Sequence, residues 1–365
     1  MIIKRLSILN FKNITTADIT FSPKLNCLFG LNGMGKTNLL DAIYYLSFCK
    51  SSINHIDSQN IKHDADFFMI NGTYDDAGNE TDIYCGLKKR HKKIFKRNGK
   101  EYKKFSEHIG QIPLVIISPA DGMLIAGGSE ERRRFIDMVI SQHDKQYLNA
   151  LIRYEKALMQ RNAMLKADVQ AGDADYEIWE EMMAIYGKAI SDKRSAFIGE
   201  FIDYFNELYS YISSDNEEVS LKYTSHCLEG DLKQQLADTR ERDKLIGFTT
   251  RGTHRDDLEM LLGVYPIRKE GSQGQNKTFI IALKLAQYTY LDRKGLTKPL
   301  LLLDDIFDKL DGTRVEKIVR LVAGDAFGQI FITDTDRRRF DPILEKLDKD
   351  YKTFNVSQGD ITPEE

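Results

Sequence analysis

Eight consecutive residues in this chain have the types and spacing to bind phosphate: Gly30-Leu31-Asn32-Gly33-Met34-Gly35-Lys36-Thr37. They fit the pattern G-x-x-x-x-G-K-[ST] at every fixed position. Gly30, Gly33 and Gly35 let the backbone bend where a side chain would clash. The freed N–H groups then face phosphate oxygens, and the helix that follows, with Asn38 at its start, adds its positive end. Lys36 is expected to reach the β- and γ-phosphates of ATP, and the Thr37 hydroxyl to ligate Mg²⁺. The bland alternative is a glycine-rich turn. The flanks favour the chemical reading: Lys24–Phe29 reads as a short apolar strand and Asn38–Leu46 as an apolar-faced helix.

A second constellation completes an ATPase. Pro299-Leu300-Leu301-Leu302-Leu303-Asp304-Asp305 is an apolar strand ending in two carboxylates, the form of a Walker B strand. Asp304 is placed to hold Mg²⁺ directly or through water. Asp305 is placed to orient or deprotonate the attacking water. On its own this stretch reads as a strand end capped by a turn; a phosphate loop in the same chain shifts the balance. About thirty residues earlier, Gly271-Ser272-Gln273-Gly274-Gln275-Asn276-Lys277 opens an apolar helix over Thr278–Leu291. Small residues and free N–H groups at a helix start form a second anion site. Ser272 and Gly274, with Gln275 beside them, occupy the positions of the signature loop of ABC-type ATPases. In those proteins this loop caps the γ-phosphate held by another protomer. Leu310-Asp311 is similar to the loop that crosses their dimer interface. ATP would then be shared between two copies, and its binding would hold them together.

Composition sets the frame for these elements. A chain of 365 residues supports about two domains with substantial cores. Hydrophobic residues at 42% and charged residues at 29% are an ordinary globular balance. With 52 Lys and Arg against 55 Asp and Glu, the net charge of −3 excludes a uniformly basic nucleic-acid coat, so any such contact must come from local patches. Cys27, Cys49, Cys85 and Cys227 show no C-x-x-C spacing and read as reduced, buried thiols, with His226 beside Cys227 a coincidence. No apolar run approaches the roughly 18 residues that span a bilayer. Met1–Arg5 does not read as a secretory signal, so a cytoplasmic protein without a membrane partner is expected.

Taken in order, Ile2–Thr20 alternates as a strand pair turning at Phe11-Lys12-Asn13. Phe67–Tyr74 and Thr81–Leu87 read as strands joined at Asp76–Asn79. Lys88–Lys104 holds ten Lys or Arg against one Glu, with a strong hairpin turn at Asn98-Gly99. Two readings stand here. In one, Lys92, Lys93, Lys96 and Arg97 meet DNA phosphates. In the other, they form a solvated edge that discourages sheet aggregation. Leu114–Ile117 is a buried strand. Ser129 is expected to cap a helix with Glu130 and Glu131 in its first turn, running through Leu158. A second long helical pattern runs from Trp179 to Tyr211, and the two should pack as an antiparallel hairpin with the aromatic stripe inside. Arg132-Arg133-Arg134 reads either as a DNA or nucleotide contact or as a solvated turn. Val219–Thr224 and Leu258–Leu262 read as strands, and Asp231–Arg242 as a polar helix. His254-Arg255-Asp256 matches a kinase tripeptide without any other kinase feature.

Across nearly its whole length the chain resembles the RecF family of bacterial DNA-repair ATPases, relatives of SMC heads. The resemblance rests on Leu6–Asn13, the phosphate loop continued through Asn38–Ile43, Arg132–Asp137, His254–Leu258, Gly271–Gln275 and the Walker B block. Lys12 stands where the family often has Arg, and Thr253 where it usually has Pro. The counterpart of the ABC glutamine loop should lie near Ser118–Asp121. Thr333-Asp334-Thr335 ends a late strand where many ABC ATPases carry a switch His, and its absence suggests slow hydrolysis.

The resemblance implies an α/β fold, a P-loop ABC/SMC-type ATPase head of mixed β-sheet and flanking helices with an inserted α-helical arm. The pieces expected are residues 1–125 and 246–365 for the head and 126–245 for the arm. It implies a weak, DNA-stimulated ATPase whose ATP-driven homodimer clamps DNA at single/double-strand junctions. It also implies that the protein aids recombinase loading with RecO- and RecR-type mediators. Replication, recombinational repair and the SOS response to DNA damage are the implied settings, in the cytoplasm at the nucleoid. The rival readings are the ATPase subunit of a membrane transporter and an SMC-like scaffold that binds nucleotide without turning it over.

Overall fold

The computed structural model describes residues 1–54, 56–167, 172–213, 217–295, 297–308, 310–346 and 350–364. They fall into two compact units, one formed by Met1–Asp121 with Gln287–Glu365 and the other by Gly122–Ala286. Residues 246–286, which carry the Gly271–Gln275 loop, cluster with the second unit.

Two sheets build the first unit. One is antiparallel throughout, in the spatial order Ile14–Thr20, Ile2–Phe11, Phe67–Asp76, Asn79–Lys88, Ile94–Arg97, Lys100–Glu101. Its strands alternate buried and open positions, which is why they read as half-buried in the sequence. The other sheet runs in the order Asp360–Glu364, Tyr351–Ser357, Leu25–Phe29, Ile330–Asp334, Leu300–Asp304, Leu114–Ile117. All of its pairings are parallel except the C-terminal hairpin of the first two. Its central strands are buried at every position, hence their unbroken apolar runs.

The helix Lys36–Phe48 packs on strands of both sheets. Eleven of its 13 residues are buried, so it is apolar almost all round rather than on one face. Tyr45, Phe11 and Phe68 meet edge to face between helix and sheet, the geometry that aromatic quadrupoles favour.

The second unit is mainly helical. Where one helix was expected from Ser129 through Leu158, there are two, Ser129–His143 and Lys145–Lys166. Asp144 breaks the run: its backbone is extended and its carboxylate caps the second helix by accepting from the Tyr147 N–H. Ser129 is not the cap; it is the first helical residue, and its hydroxyl accepts from Arg133. The helix Asp173–Ser213 spans 41 residues. Arg161 meets Glu180, Arg153 meets Tyr186, and Arg194 meets Tyr147, so Lys145–Lys166 and Asp173–Ser213 run antiparallel. The expected polar helix Asp231–Arg242 is two short ones, Leu232–Asp238 capped by Asp231 and Arg240–Ile246.

Two buried arginines tie this unit together. Arg161 is wholly buried against Glu180, Asp243, Thr249 and the Leu236 carbonyl. Arg194 joins Asp137, Asp256, Tyr147 and the Thr253 carbonyl. A small antiparallel sheet, Val219–Thr224, Asp257–Leu262 and Tyr265–Pro266, closes the unit. No helix among the described residues is long and apolar enough to cross a membrane.

Candidate nucleotide site

In the first unit the carboxyl ends of three parallel strands converge, the place where open α/β sheets take ligands. The phosphate loop leaves Leu25–Phe29, Asp304 and Asp305 end Leu300–Asp304, and Asp334 ends the strand between them. Sheet order therefore brings together residues that lie 267 positions apart in sequence. The Thr37 hydroxyl donates to Asp304 Oδ1 at 3.0 Å. Thr333 donates to the same oxygen at 2.8 Å and accepts from the Asp305 N–H at 2.9 Å.

The loop has the backbone its glycines require. Gly33 and Gly35 have φ of 80° and 116°, a region that L side chains rarely adopt. A Cβ on Gly30 would stand 2.2 Å from the Val356 carbonyl oxygen. Leu31 is 70% exposed at the mouth, with Asn32 and Gly33 also open to solvent and Met34 half-buried. Lys36 is buried, its ammonium donating to the carbonyls of Gly30 at 2.6 Å and Leu31 at 3.0 Å. In this position it braces the loop from inside.

Burial lowers the Lys36 pKa, and the carboxylates of Asp305, Asp304 and Asp334 work against that shift. Burial raises the pKa of Asp304, opposed by the hydroxyls of Thr333 and Thr37 and assisted by the charge of Asp305. Burial likewise raises Asp334, which accepts from the Asp336 N–H and lies 3.9 Å from Arg339. Asp305 carries φ of 51°, a strained conformation for a residue with a Cβ, and is half-buried. Arg339 donates to the Phe307 carbonyl at 3.1 Å, tying the segment after Asp305 to the end of the neighbouring strand.

Several functional neighbours were not visible in the sequence. Asn13, from the turn after Ile2–Phe11, donates to the Met34 carbonyl at 3.1 Å and accepts from Asn38 at 2.7 Å. The Lys12 ammonium pairs with buried Asp41 at 2.6 Å. Asp41 also accepts from Ser51 and Ser52, so it pins the segment after the helix. Gly359, from the C-terminal hairpin, donates its N–H to the Met34 carbonyl at 2.8 Å. In the region expected to hold a glutamine-loop counterpart, the Ser118 N–H donates to Asp121 Oδ2 at 2.7 Å.

In the second unit, the helix after Gly271-Ser272 begins at Gln273, five residues before the expected start. Ser272 and Gln275 form a reciprocal capping box. The Gln275 N–H donates to the Ser272 hydroxyl at 3.2 Å, and the Ser272 N–H to Gln275 Oε1 at 2.7 Å. The Gln275 amide also donates to Glu217 at 2.6 Å. Gly274 lies inside this first turn. Asp311, beyond the Walker strand, caps the helix Gly312–Ala323.

Arg132–Asp137 and His254–Leu258 make their contacts within the second unit. Arg132 grips Asp257 in a two-point contact of 2.7 and 3.0 Å. Arg133 donates to Ser129 and to the Asp256 carbonyl, and Arg134 pairs with Glu130 and Glu131. Asp256 is buried against Arg194. The tripeptide beginning at His254 is thus part of a packed network.

The basic hairpin exists, with Asn98 and Gly99 both at positive φ as a type I′ turn demands. Its four candidate residues separate. Lys92 is exposed, Lys96 lies over the Tyr84 ring, and Arg97 donates to Gln111. Lys93 is a correction: its side chain is 8% exposed and donates to Tyr45, Asp57 and the Cys49 carbonyl. That lysine holds the hairpin to the helix Lys36–Phe48 and is not part of an open basic face.

Comparison with known proteins agrees with this geometry. The family model for the RecF/RecN/SMC N terminal domain matches residues 2–362. The chain is 62% identical to the DNA replication and repair protein RecF of Bacteroides thetaiotaomicron, over 99% of this chain and 98% of that one. Its identity to the protein of the same name from Porphyromonas gingivalis is 50%, over 99% of this chain and all of that one. Among solved structures, the recombination mediator protein RecF-ATP in the RecFOR pathway is similar at a TM-score of 0.90 and 30% identity, covering 100% of this chain and 98% of that one. An SmcHead bound to the C-winged helix domain of ScpA shares the fold at a TM-score of 0.61 and 16% identity, with 100% and 97% covered. A family model spanning almost every residue, and relatives this similar end to end, establish that the chain belongs to the RecF family of ABC/SMC-type ATPase heads.

Proposed function

We propose that this chain is an ATP-dependent DNA-binding switch of replication and recombinational repair. The observation that carries the reading is the meeting of Thr37 with Asp304 at the mouth of a correctly bent phosphate loop. ATP lies along Gly30–Thr37 and Asn38, with loop N–H groups and Lys36 on its phosphates. The donor set fits Mg²⁺: one hydroxyl and one carboxylate, both hard oxygens, at hydrogen-bond distance from each other. Among the described residues no cluster of three or more His, Cys, Asp or Glu can hold a metal. When bound, the ion neutralises charge on the phosphates. Asp305 then orients the attacking water as general base.

The second half of the site comes from a second copy. Ser272, Gly274 and Gln275 of the partner subunit cap the γ-phosphate with the N-terminus of their helix. The resulting homodimer closes on DNA at single/double-strand junctions, and slow, DNA-stimulated hydrolysis reopens it. RecO- and RecR-type mediators are the partners in recombinase loading, at the nucleoid in the cytoplasm. RecF relatives named for DNA replication and repair support this reading, as does a solved RecF structure described with ATP in the RecFOR pathway. They favour it over the transporter reading.

The test is retention of a gapped duplex with and without ATP and Mg²⁺ at fixed salt. Retention that depends on ATP and is lost in Lys36→Ala is the expected result. Equal binding by the wild type in both conditions overturns the switch.

A further inference from the structure

The phosphate loop is held from outside at one carbonyl. Met34 O accepts two hydrogen bonds, from Asn13 Nδ2 at 3.1 Å and from the Gly359 N–H at 2.8 Å. A trans peptide is planar, with its C=O and N–H pointing opposite ways. Holding Met34 C=O outward therefore turns the N–H of the same peptide, that of Gly35, inward to the phosphate cradle. We propose that Asn13 and Gly359 are positioning residues: through the Met34 carbonyl they preset the Gly35 N–H as a phosphate donor. The inference rests on nucleotide binding at the loop and deepens it.

Three close approaches show that the arrangement is built. A Cβ on Gly359 would lie 2.4 Å from the Asn13 carbonyl oxygen, one on Gly35 2.9 Å from the Asn13 amide, and one on Gly30 2.2 Å from the Val356 carbonyl oxygen. The turn after Ile2–Phe11, the phosphate loop and the C-terminal hairpin thus pack closely, glycine standing at each contact: against backbone at Gly359 and Gly30, and against the Asn13 side chain at Gly35. Gln358 and Gly359 have φ of 50° and 90°, the type I′ turn of a two-residue hairpin. Such a turn tolerates Asn at its second position; the approach of Asn13 leaves room only for Gly. Asn13 is itself fixed, its side-chain oxygen accepting from Asn38 at 2.7 Å and its carbonyl from Lys62 at 3.1 Å. Gln358 adds a contact from its N–H to the Met34 sulfur at 3.3 Å.

The role is ground-state positioning. Both ATP and ADP place phosphate on the loop, so loss of the preset donor weakens both alike. A hydrogen bond to a charged phosphate is worth enough that its loss costs about tenfold in Kd. The hydrolysis step, once nucleotide is bound, changes little.

The experiment compares wild type, Lys36→Ala, Asn13→Ala and Gly359→Ala in full-length protein, each shown to be folded by its melting transition. Fluorescent ATP and ADP titrations give Kd, and ¹⁵N NMR follows the Gly35 amide as ADP is added. Expected are about tenfold weaker binding of both nucleotides in Asn13→Ala and Gly359→Ala. The downfield shift of the Gly35 amide on binding should shrink in the same variants. Asn13→Ala removes a side chain without a clash, so it decides the matter if Gly359→Ala unfolds the hairpin. Binding within twofold of wild type and an unchanged Gly35 shift in folded Asn13→Ala overturn the inference. If Lys36→Ala also leaves binding unchanged, it is the nucleotide reading of the loop that fails.

Discussion

The Thr37 hydroxyl donates to Asp304 Oδ1 at 3.0 Å, joining the end of the phosphate loop to the end of the Walker strand. An oxygen pair held this way is set for a hard cation. Burial raises the Asp304 pKa above its ordinary 3.8, so a falling pH protonates it sooner than a free carboxylate. Only the ionised form ligates a metal. Mg²⁺-dependent nucleotide affinity should therefore fall on the acid side at a pH above 3.8, and Asp304→Asn should lose the Mg²⁺ dependence and the acid limb together. Titrations with and without Mg²⁺ across pH check this. An acid limb that persists in Asp304→Asn assigns it to another group.

Asp305 should separate binding from turnover. Its backbone is strained at φ of 51° and anchored through its N–H to Thr333. Asp305→Asn keeps the shape and removes the base, so kcat should drop on the order of a hundredfold or more while Kd for ATP stays near wild type. Steady-state hydrolysis and equilibrium binding measure the two. Turnover that survives the substitution places the base elsewhere, and a wild type with no turnover leaves the scaffold reading.

The basic hairpin divides into a face and an anchor. Replacing exposed Lys92 and half-buried Lys96 together with Gln should lower the salt slope of DNA binding by about two. An unchanged slope makes the hairpin a solvated edge. Lys93→Ala should instead cost stability, about 1–3 kcal/mol, because Asp57 Oδ2 and the Cys49 carbonyl lose the Lys93 donor. Denaturant midpoints read that cost.

His254 makes the second unit acid-sensitive. Burial, with the charges of Arg255, Arg133 and His226, pushes its pKa down to about 4, against a contact to the Thr249 carbonyl that works the other way. The folded value lies below the unfolded 6.5, so the stability is present above pH 6.5 and is lost as pH falls towards 4. At pH 5 the wild type should have lost about 2 kcal/mol more than His254→Gln, relative to pH 7.5. Urea midpoints at the two values check it, and identical losses in both proteins refute it.

What the sequence disclosed and what it hid follow from the range of the interactions. The phosphate loop and the Walker B strand were legible because backbone bending and metal ligation dictate residue types at fixed local spacing. Asn13 and Gly359 were hidden, because each reaches Met34 only in the folded chain, Asn13 from the turn after Ile2–Phe11 and Gly359 from the C-terminal hairpin that pairs beside Leu25–Phe29. The same sheet order makes Thr333 a neighbour of Asp304. Lys93 sat in a charge run that reads as solvent-facing, and its partners Tyr45 and Asp57 lie 48 and 36 residues away. The break at Asp144 was masked by apolar residues that keep helical spacing across it; only the cap on Tyr147 marks it. Ser272 and Gln275 read as an anion loop, while their spacing of three is also that of the capping box they form.

The most direct test is the mass of the protein in solution by sedimentation velocity, with and without ATP and Mg²⁺, using Asp305→Asn to stop turnover. A nucleotide shared between two copies requires a dimer that appears with ATP, disappears without it, and fails to form in Ser272→Arg while that variant still binds nucleotide. A wild-type chain that remains a monomer at saturating ATP and Mg²⁺ would contradict it.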